Sequence, residues 1–217
     1  MLAAVKSGDE KELAELMRQD PGFDVNRDHG NGFTLLHYAC LGEQRSVVIP
    51  LLLAHPDIDV NVKDRDKCTP FSCACRFGLT SCVSEMLKDP RVMVNEPRID
   101  GRTPLGFAAV NGHVDTIRWW IASGREMDLG KPGDVYKTDA IEGAMENRRM
   151  EIATLLERFK SDASKTRHAV RVKLGFLDDL AADVRPGGLC LGWITATQRH
   201  HHHSRSQVLL HYRPASS

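Results

Sequence analysis

Large apolar residues recur at a fixed interval through the first three quarters of the chain. The pairs Leu51–Leu52, Met86–Leu87, Trp120–Ile121 and Leu155–Leu156 fall 17 and 18 residues after Thr34, Thr69, Thr103 and Thr138. Those threonines are 35, 34 and 35 residues apart. Small residues follow each threonine at the fifth and sixth positions: Ala39/Cys40, Ala74/Cys75, Ala108/Ala109 and Gly143/Ala144. A turn residue stands nine after it at Gly78, Gly112 and Asn147. One period shared by several independent features marks an internal repeat, and the spacing predicts two short helices per unit joined by a turn.

Each recurring position has a physical reason. A threonine hydroxyl satisfies a free backbone N–H at a helix start. The prolines that follow in Thr69-Pro70 and Thr103-Pro104 fit the first helical position, where no N–H partner is lost. Paired small residues let two helices approach closely. Glycine, or asparagine as the next choice, takes the left-handed conformation that ends the first helix. The polar segments after Asp24-Val25-Asn26, Asp59-Val60-Asn61 and Met93-Val94-Asn95 read as projecting hairpin-like loops.

These residues resemble ankyrin repeats: Thr-Pro starts, paired small residues, Gly112-His113, apolar pairs and Asp-Val-Asn loops. The resemblance covers about residues 1–160. It implies an all-α solenoid of helix–turn–helix–hairpin units, with units at about 1–29, 30–63, 64–97, 98–132 and 133–160. The first unit is truncated and polar, as suits an N-terminal cap. The fifth lacks Thr-Pro and places Glu146, Arg148, Arg149 and Glu151 toward solvent.

Departures from the pattern matter too. Only the second unit keeps the repeat's histidine, His37, while Ser72, Gly106 and Ile141 occupy the equivalent places. Pro50 lies inside that unit's second helix, where proline costs about 3 kcal/mol, so a kink or a late helix start is expected there. Pro56 and Pro90 stiffen slightly lengthened loops. A further helix is expected over 163–184, with Val170, Leu174, Leu177 and Ala181 on one face. Thr166–Gly175 resembles an extension after the repeats in some ankyrin proteins of fungi and other simple eukaryotes.

Charge changes the picture at the far end. The chain is formally neutral, with 29 Lys+Arg against 29 Asp+Glu. Residues 185–217 hold four arginines and no acid, so the first 184 carry 25 bases against 29 acids, a net −4. The tail also holds His200–His203 and the helix-breaking Pro186-Gly187-Gly188, and it is expected to be disordered, with an origin in an alternative exon, intron read-through or frame change. No apolar run reaches the roughly 18 residues of a membrane helix. The start has no signal-peptide pattern, so a cytoplasmic home with free thiols is expected, the nucleus being the alternative.

Candidate chemistry is sparse. Cys68, Cys73, Cys75 and Cys82 do not have paired zinc spacing. The repeat register instead places Cys40, Cys75 and Cys82 in small or apolar core slots. His113 and His37 belong to turn and cap networks, and the His200–His203 run is not taken as a physiological metal site. No phosphate loop, catalytic triad or other catalytic motif appears, so no enzyme activity, cofactor or metal is expected. Asn61 fits the loop pattern that ankyrin resemblance associates with asparagine hydroxylation, set against a plain turn-holding role.

The ankyrin resemblance implies binding through a concave face of loop tips and first helices. By alignment that face holds Phe33, Tyr38 and Leu41; Arg65, Asp66, Arg76 and Phe77; and Asp100, Arg102, Phe107, Val110 and Asn111. Tyr38 and Phe107 have internal packing as the competing role. Arg76 and Phe77, just before the turning glycine, are the strongest candidates. Aromatics interleaved with arginine are the residue types of interface hot spots. The expected function is a monomeric scaffold binding a protein partner, with no membrane and no specific nucleic acid. The alternative is a targeting or regulatory region cut from a longer enzyme or membrane protein.

Overall fold

The computed structural model describes residues 1–131 and 139–176. These residues are helical and contain no β-strand. Met1–Val170 forms one compact unit. The helices are α1 (Leu2–Ser7), α2 (Glu10–Gln19), α3 (Leu35–Ala39), α4 (Ile49–Leu53), α5 (Pro70–Phe77), α6 (Thr80–Leu87), α7 (Pro104–Asn111), α8 (Val114–Ser123), α9 (Ala140–Glu146), α10 (Met150–Ser161) and α11 (Ala163–Lys173). Five antiparallel pairs, α1/α2 to α9/α10, make up the repeat stack among the described residues. First helices stack in a row, α3 on α5, α5 on α7 and α7 on α9, and second helices do the same, α4 on α6 and α6 on α8. The helix expected over 163–184 ends at Lys173, where Leu174 and Gly175 (φ 83°) form a turn; the rest of that stretch beyond Phe176 and the expected tail over 185–217 lie outside the described residues.

The capping chemistry is local and repeats. Thr69 Oγ1 accepts from the Ser72 backbone N–H at 3.2 Å, and Thr103 Oγ1 accepts from Gly106 N–H at 3.1 Å. Each such cap is worth about 1 kcal/mol. Gly78 (φ 67°) and Gly112 (φ 86°) close α5 and α7 in the left-handed region. The fifth pair departs from expectation. Asn147 has φ −91°, and the left-handed residue is Arg148 at φ 59°. Asp139 replaces threonine as the cap of α9, its carboxylate accepting from Ile141 and Glu142 N–H.

Pro50 delays its helix, as its position demands. A 3₁₀ turn over Glu43–Val48 comes first, and α4 begins only at Ile49, with proline in its first turn. There the missing N–H costs nothing.

The core is a continuous column of the recurring apolar positions. Leu36, Leu52, Phe71, Met86, Leu105, Trp120, Ile121 and Leu156 are fully or almost fully buried. Cys40, Cys75 and Cys82 occupy the core slots that the register assigned them. Burial pushes the Cys40 and Cys75 thiols well above their ordinary value. Cys82 is pushed up to about 12 by burial and by Glu43. These sulfurs stay protonated and act as packing atoms. No cluster able to hold a metal ion exists among the described residues.

Asparagine and histidine tie one unit to the next. Asn26 Nδ2 donates to Asp57 O at 2.7 Å while its Oδ1 accepts from Asp59 N–H at 2.9 Å. Asn61 repeats this on Arg91 O and Met93 N–H, at 2.9 and 2.7 Å, and Asn95 accepts from Asp128 N–H at 3.0 Å. His37 Nδ1 accepts from Thr34 N–H at 3.3 Å, so its Nε2–H faces the Cys68 carbonyl at 3.2 Å. Ser72, at the same place one unit on, is too short to make that bridge, and its buried hydroxyl has no partner.

The His37 bridge gives stability a sign with pH. Burial lowers the pKa of His37 below its ordinary 6.5, with the Cys68 carbonyl opposing the shift. On acidification the unfolded chain therefore takes up this proton first. The His37 contribution is complete above pH 6.5 and is lost as pH falls through that value toward the lower folded one. The melting temperature is expected to drop across this window, and to drop less in His37→Asn. An equal drop in both would contradict the assignment. His29, shifted downward by burial and Arg27, contributes with the same sign.

Candidate functional site

The face made by the loop tips and the first helices is ordered from its base. Asp64 Oδ1 accepts from Asp66 and Cys68 N–H, closing the third unit's loop, and Asp100 does the same for Arg102 N–H. Adjacent tips are hydrogen-bonded: Arg65 N–H to Asn31 O and Ile99 N–H to Asp66 O, both at 3.1 Å. The tips thus form a connected rim, and their side chains are presented at fixed spacing.

Arg76 and Phe77 close α5 on this face and are both exposed, Phe77 by 54%. Their backbone is held from the next unit. Asn111 Nδ2 donates to Arg76 O at 2.9 Å, and His113 Nε2–H faces the same carbonyl at 3.0 Å. Asn111 is therefore a brace as well as a surface residue.

Phe107 is different. It is only 4% exposed, although it stands on the helix side that faces the groove. Cations cover it: the guanidinium carbons of Arg76 and Arg102 lie 5.8 and 5.3 Å from its ring centroid. Arg76 also lies 5.7 Å from the Phe77 ring. Tyr38, four residues after its threonine as Phe107 is, is covered in the same way by Lys6 Nζ at 4.7 Å. It packs with Phe33 and His29, at centroid distances of 5.7 and 6.4 Å. Cation–aromatic contacts of this kind span about 6 Å.

Asp66 and Asp100 are joined through Arg98, which donates to both carboxylates at 3.0 and 2.9 Å. Arg65 is exposed at the tip, and Leu41 is half-buried beyond α3. Val110 points along the stack, where a side chain added at Gly143 would meet its Cγ2 at 3.0 Å. The structure thus gathers Arg76, Phe77, Arg102, Phe107 and Asn111 in one place, and Phe33 with Tyr38 in another. Sequence reasoning missed Arg98, which organises the carboxylates, and Ile99, 62% exposed at the tip. Ile99 stands where Arg65 stands one unit earlier, so an aliphatic at a charged loop position was its signal.

A stack of paired helices linked rim to rim by loop hydrogen bonds defines a repeat solenoid. The described residues have the fold of an ankyrin-repeat solenoid. Residues 1–95 match the family of ankyrin repeats, in three copies. Over 84 residues the chain is 45% identical to SMC5-SMC6 complex localization factor protein 1 of Homo sapiens, covering 39% of this chain and 8% of that protein. It is 34% identical over 101 residues to Rabankyrin-5 of Homo sapiens, 46% of this chain and 9% of that one. It is 30% identical over 118 residues to the probable E3 ubiquitin-protein ligase XBOS31 of Oryza sativa subsp. japonica, 54% of this chain and 26% of that one. The match spans less than a tenth of the first two relatives. Ankyrin repeats are generally protein-interaction modules. Among the described residues, no helix is long and apolar enough to cross a membrane.

Proposed function

We propose that the chain is a non-catalytic scaffold that binds a partner protein through the face of loop tips and first helices. One observation carries this reading: Phe77, 54% exposed, stands beside Arg76 on a backbone braced by Asn111 and His113. An aromatic and an arginine on a fixed surface are the anchors that dominate interface energetics. A pre-formed rim also saves the ordering cost of association. In this reading the chain acts as a monomer in the cytoplasm or nucleus, without specific nucleic-acid contacts.

The double substitution Arg76→Ala/Phe77→Ala tests it. Capture of the partner in a pull-down with the whole chain is expected to be lost, while stability falls by no more than about 1–2 kcal/mol, the size of the two cation–aromatic contacts that Arg76 gives up. Undiminished capture would place the site elsewhere. Asn61 remains the candidate for hydroxylation. Its amide already bonds at both ends across two units, which supports the holding role. The intact mass of its loop peptide, with or without one added oxygen, decides between the two.

A further inference from the structure

We infer that the partner segment is an acidic peptide: one carboxylate seated between Arg76 and Arg102, with a large apolar residue beside it on Phe77. This rests on the proposed binding face and names the chemistry it selects.

The argument begins with how the other arginines are used. Arg98 pairs with Asp66 and Asp100. Arg91 pairs with Asp89, and Arg118 with Asp115 and Glu151. Arg125 is spent on the backbone carbonyls of Asp89 and Val92. Arg45 donates to the Tyr38 carbonyl. Among the described residues the guanidiniums of Arg76 and Arg102 have no carboxylate and no carbonyl, only the aromatic rings of Phe77 and Phe107. Arg27, Arg65, Arg148 and Arg158 are also without a carboxylate or carbonyl among the described residues, but Arg76 and Arg102 differ from them in lying against one shared aromatic ring.

The nearest acids, Asp66 and Asp100, are turned to Arg98 and form no ion pair with Arg76 or Arg102, although Arg98 offsets only one of their two charges. Two like charges on one ring repel, and burial of Phe107 beneath them holds them there. A guanidinium set beside a ring still has its planar fork of N–H donors to offer, because the ring takes none of those hydrogen bonds. That geometry suits a carboxylate, which accepts in parallel from such a fork. The apolar half of the site is present as well: Phe77 is exposed beside Arg76, and Ile99 is exposed on the tip that leads into Arg102.

Charge argues for a peptide acid over a polyanion. The first 184 residues carry a net −4, so the cationic spot is local on an acidic scaffold. Nucleic-acid binding draws on many phosphate contacts and a broad basic surface. A pair of arginines beside an aromatic matches one acid beside one apolar side chain.

The test uses the full chain and a bead-bound library of random short peptides. The selected pool is expected to be enriched in Asp or Glu next to an aromatic or large aliphatic residue. Affinity for a selected peptide should fall about tenfold or more in Arg76→Gln and in Arg102→Gln, as expected for loss of a charge-assisted hydrogen bond. Replacing the peptide's acid by its amide should cause a loss at least as large in the parent, a smaller further loss in each single variant, and little further loss in the double variant Arg76→Gln/Arg102→Gln. A pool without acidic enrichment, or acidic peptides indifferent to both Gln variants, overturns the inference. Competition by single-stranded RNA and not by the acidic peptide also overturns it. The two readings separate cleanly. A non-acidic pool whose binding is lost in Phe77→Ala sinks only the acid. Binding that survives Phe77→Ala sinks the face itself.

Discussion

Trp120→Ala is expected to destabilise the repeat stack by about 3–5 kcal/mol, the largest single effect of any core truncation in this chain. Trp120 is completely buried in α8. Its ring meets Phe71 of the preceding unit edge-on, with centroids 5.0 Å apart and planes at 82°. Its indole N–H donates to the Glu126 carbonyl at 3.3 Å. Truncation therefore removes transfer energy, an aromatic pair across two units, and the partner of a carbonyl. Stability of a repeat array is roughly a sum of unit terms and nearest-neighbour interfaces. Loss at the α5–α8 contact thus weakens the middle of the stack, where both halves depend on it. Urea denaturation followed by circular dichroism should show a lowered midpoint and a broader transition. Trp120→Phe should recover part of the loss, because it keeps an aromatic against Phe71. A cost below about 1 kcal/mol would mean that the site collapses freely around the cavity.

Trp120 also shows what could be read in advance. Its place 17 residues after Thr103 put it in the core from the repeat period alone. The same holds for the caps at Thr69 and Thr103, the turns at Gly78 and Gly112, and the structural role of Cys40, Cys75 and Cys82. These features follow from local periodicity, helix capping and side-chain size, which a single sequence displays. Relations between units were not displayed. The recurrence of Asn26, Asn61 and Asn95 is visible in the sequence, but not that each bonds to backbone about 30 residues away.

The candidate face was legible by halves for the same reason. Phe77 lies before a turning glycine, and its exposure follows from that position. Phe107 lies on the same helix side, yet it is buried, because Arg76 from one unit and Arg102 from a loop base close over it. Alignment placed all three residues on one face. It could not place two cations on one ring, since that depends on how far one unit is rotated against the next. Arg148 taking the left-handed position in place of Asn147 is a similar case. The helix end shifted by one residue, and arginine carried a conformation that local preference assigns to its neighbour.

Gly78→Ala is expected to cost about 2–3 kcal/mol, and to disturb binding as well as stability. Two effects add. Gly78 has φ 67°, where an L side chain costs about 1–2 kcal/mol. A methyl group there would also overlap the His113 ring at Nδ1, so the imidazole must move. That ring cannot move without giving up its bond to the Arg76 carbonyl, worth about 1 kcal/mol. The two effects separate in a double-mutant cycle. In a His113→Ala background the clash is gone, and Gly78→Ala should cost only the backbone penalty. Equal costs in both backgrounds would show that the ring is not the obstacle. Gly22→Ala serves as a control, since its added methyl meets nothing within 4 Å and its φ lies outside the left-handed range. The functional consequence follows from the same carbonyl. His113 and Asn111 brace Arg76 from below, and Arg76 in turn covers Phe107 and flanks Phe77. Displacing His113 should therefore loosen partner capture under conditions where Gly78→Ala is still fully folded. His113→Ala alone should weaken capture at a stability cost of only about 1 kcal/mol, because it removes the bond to the Arg76 carbonyl and leaves the turn unstrained.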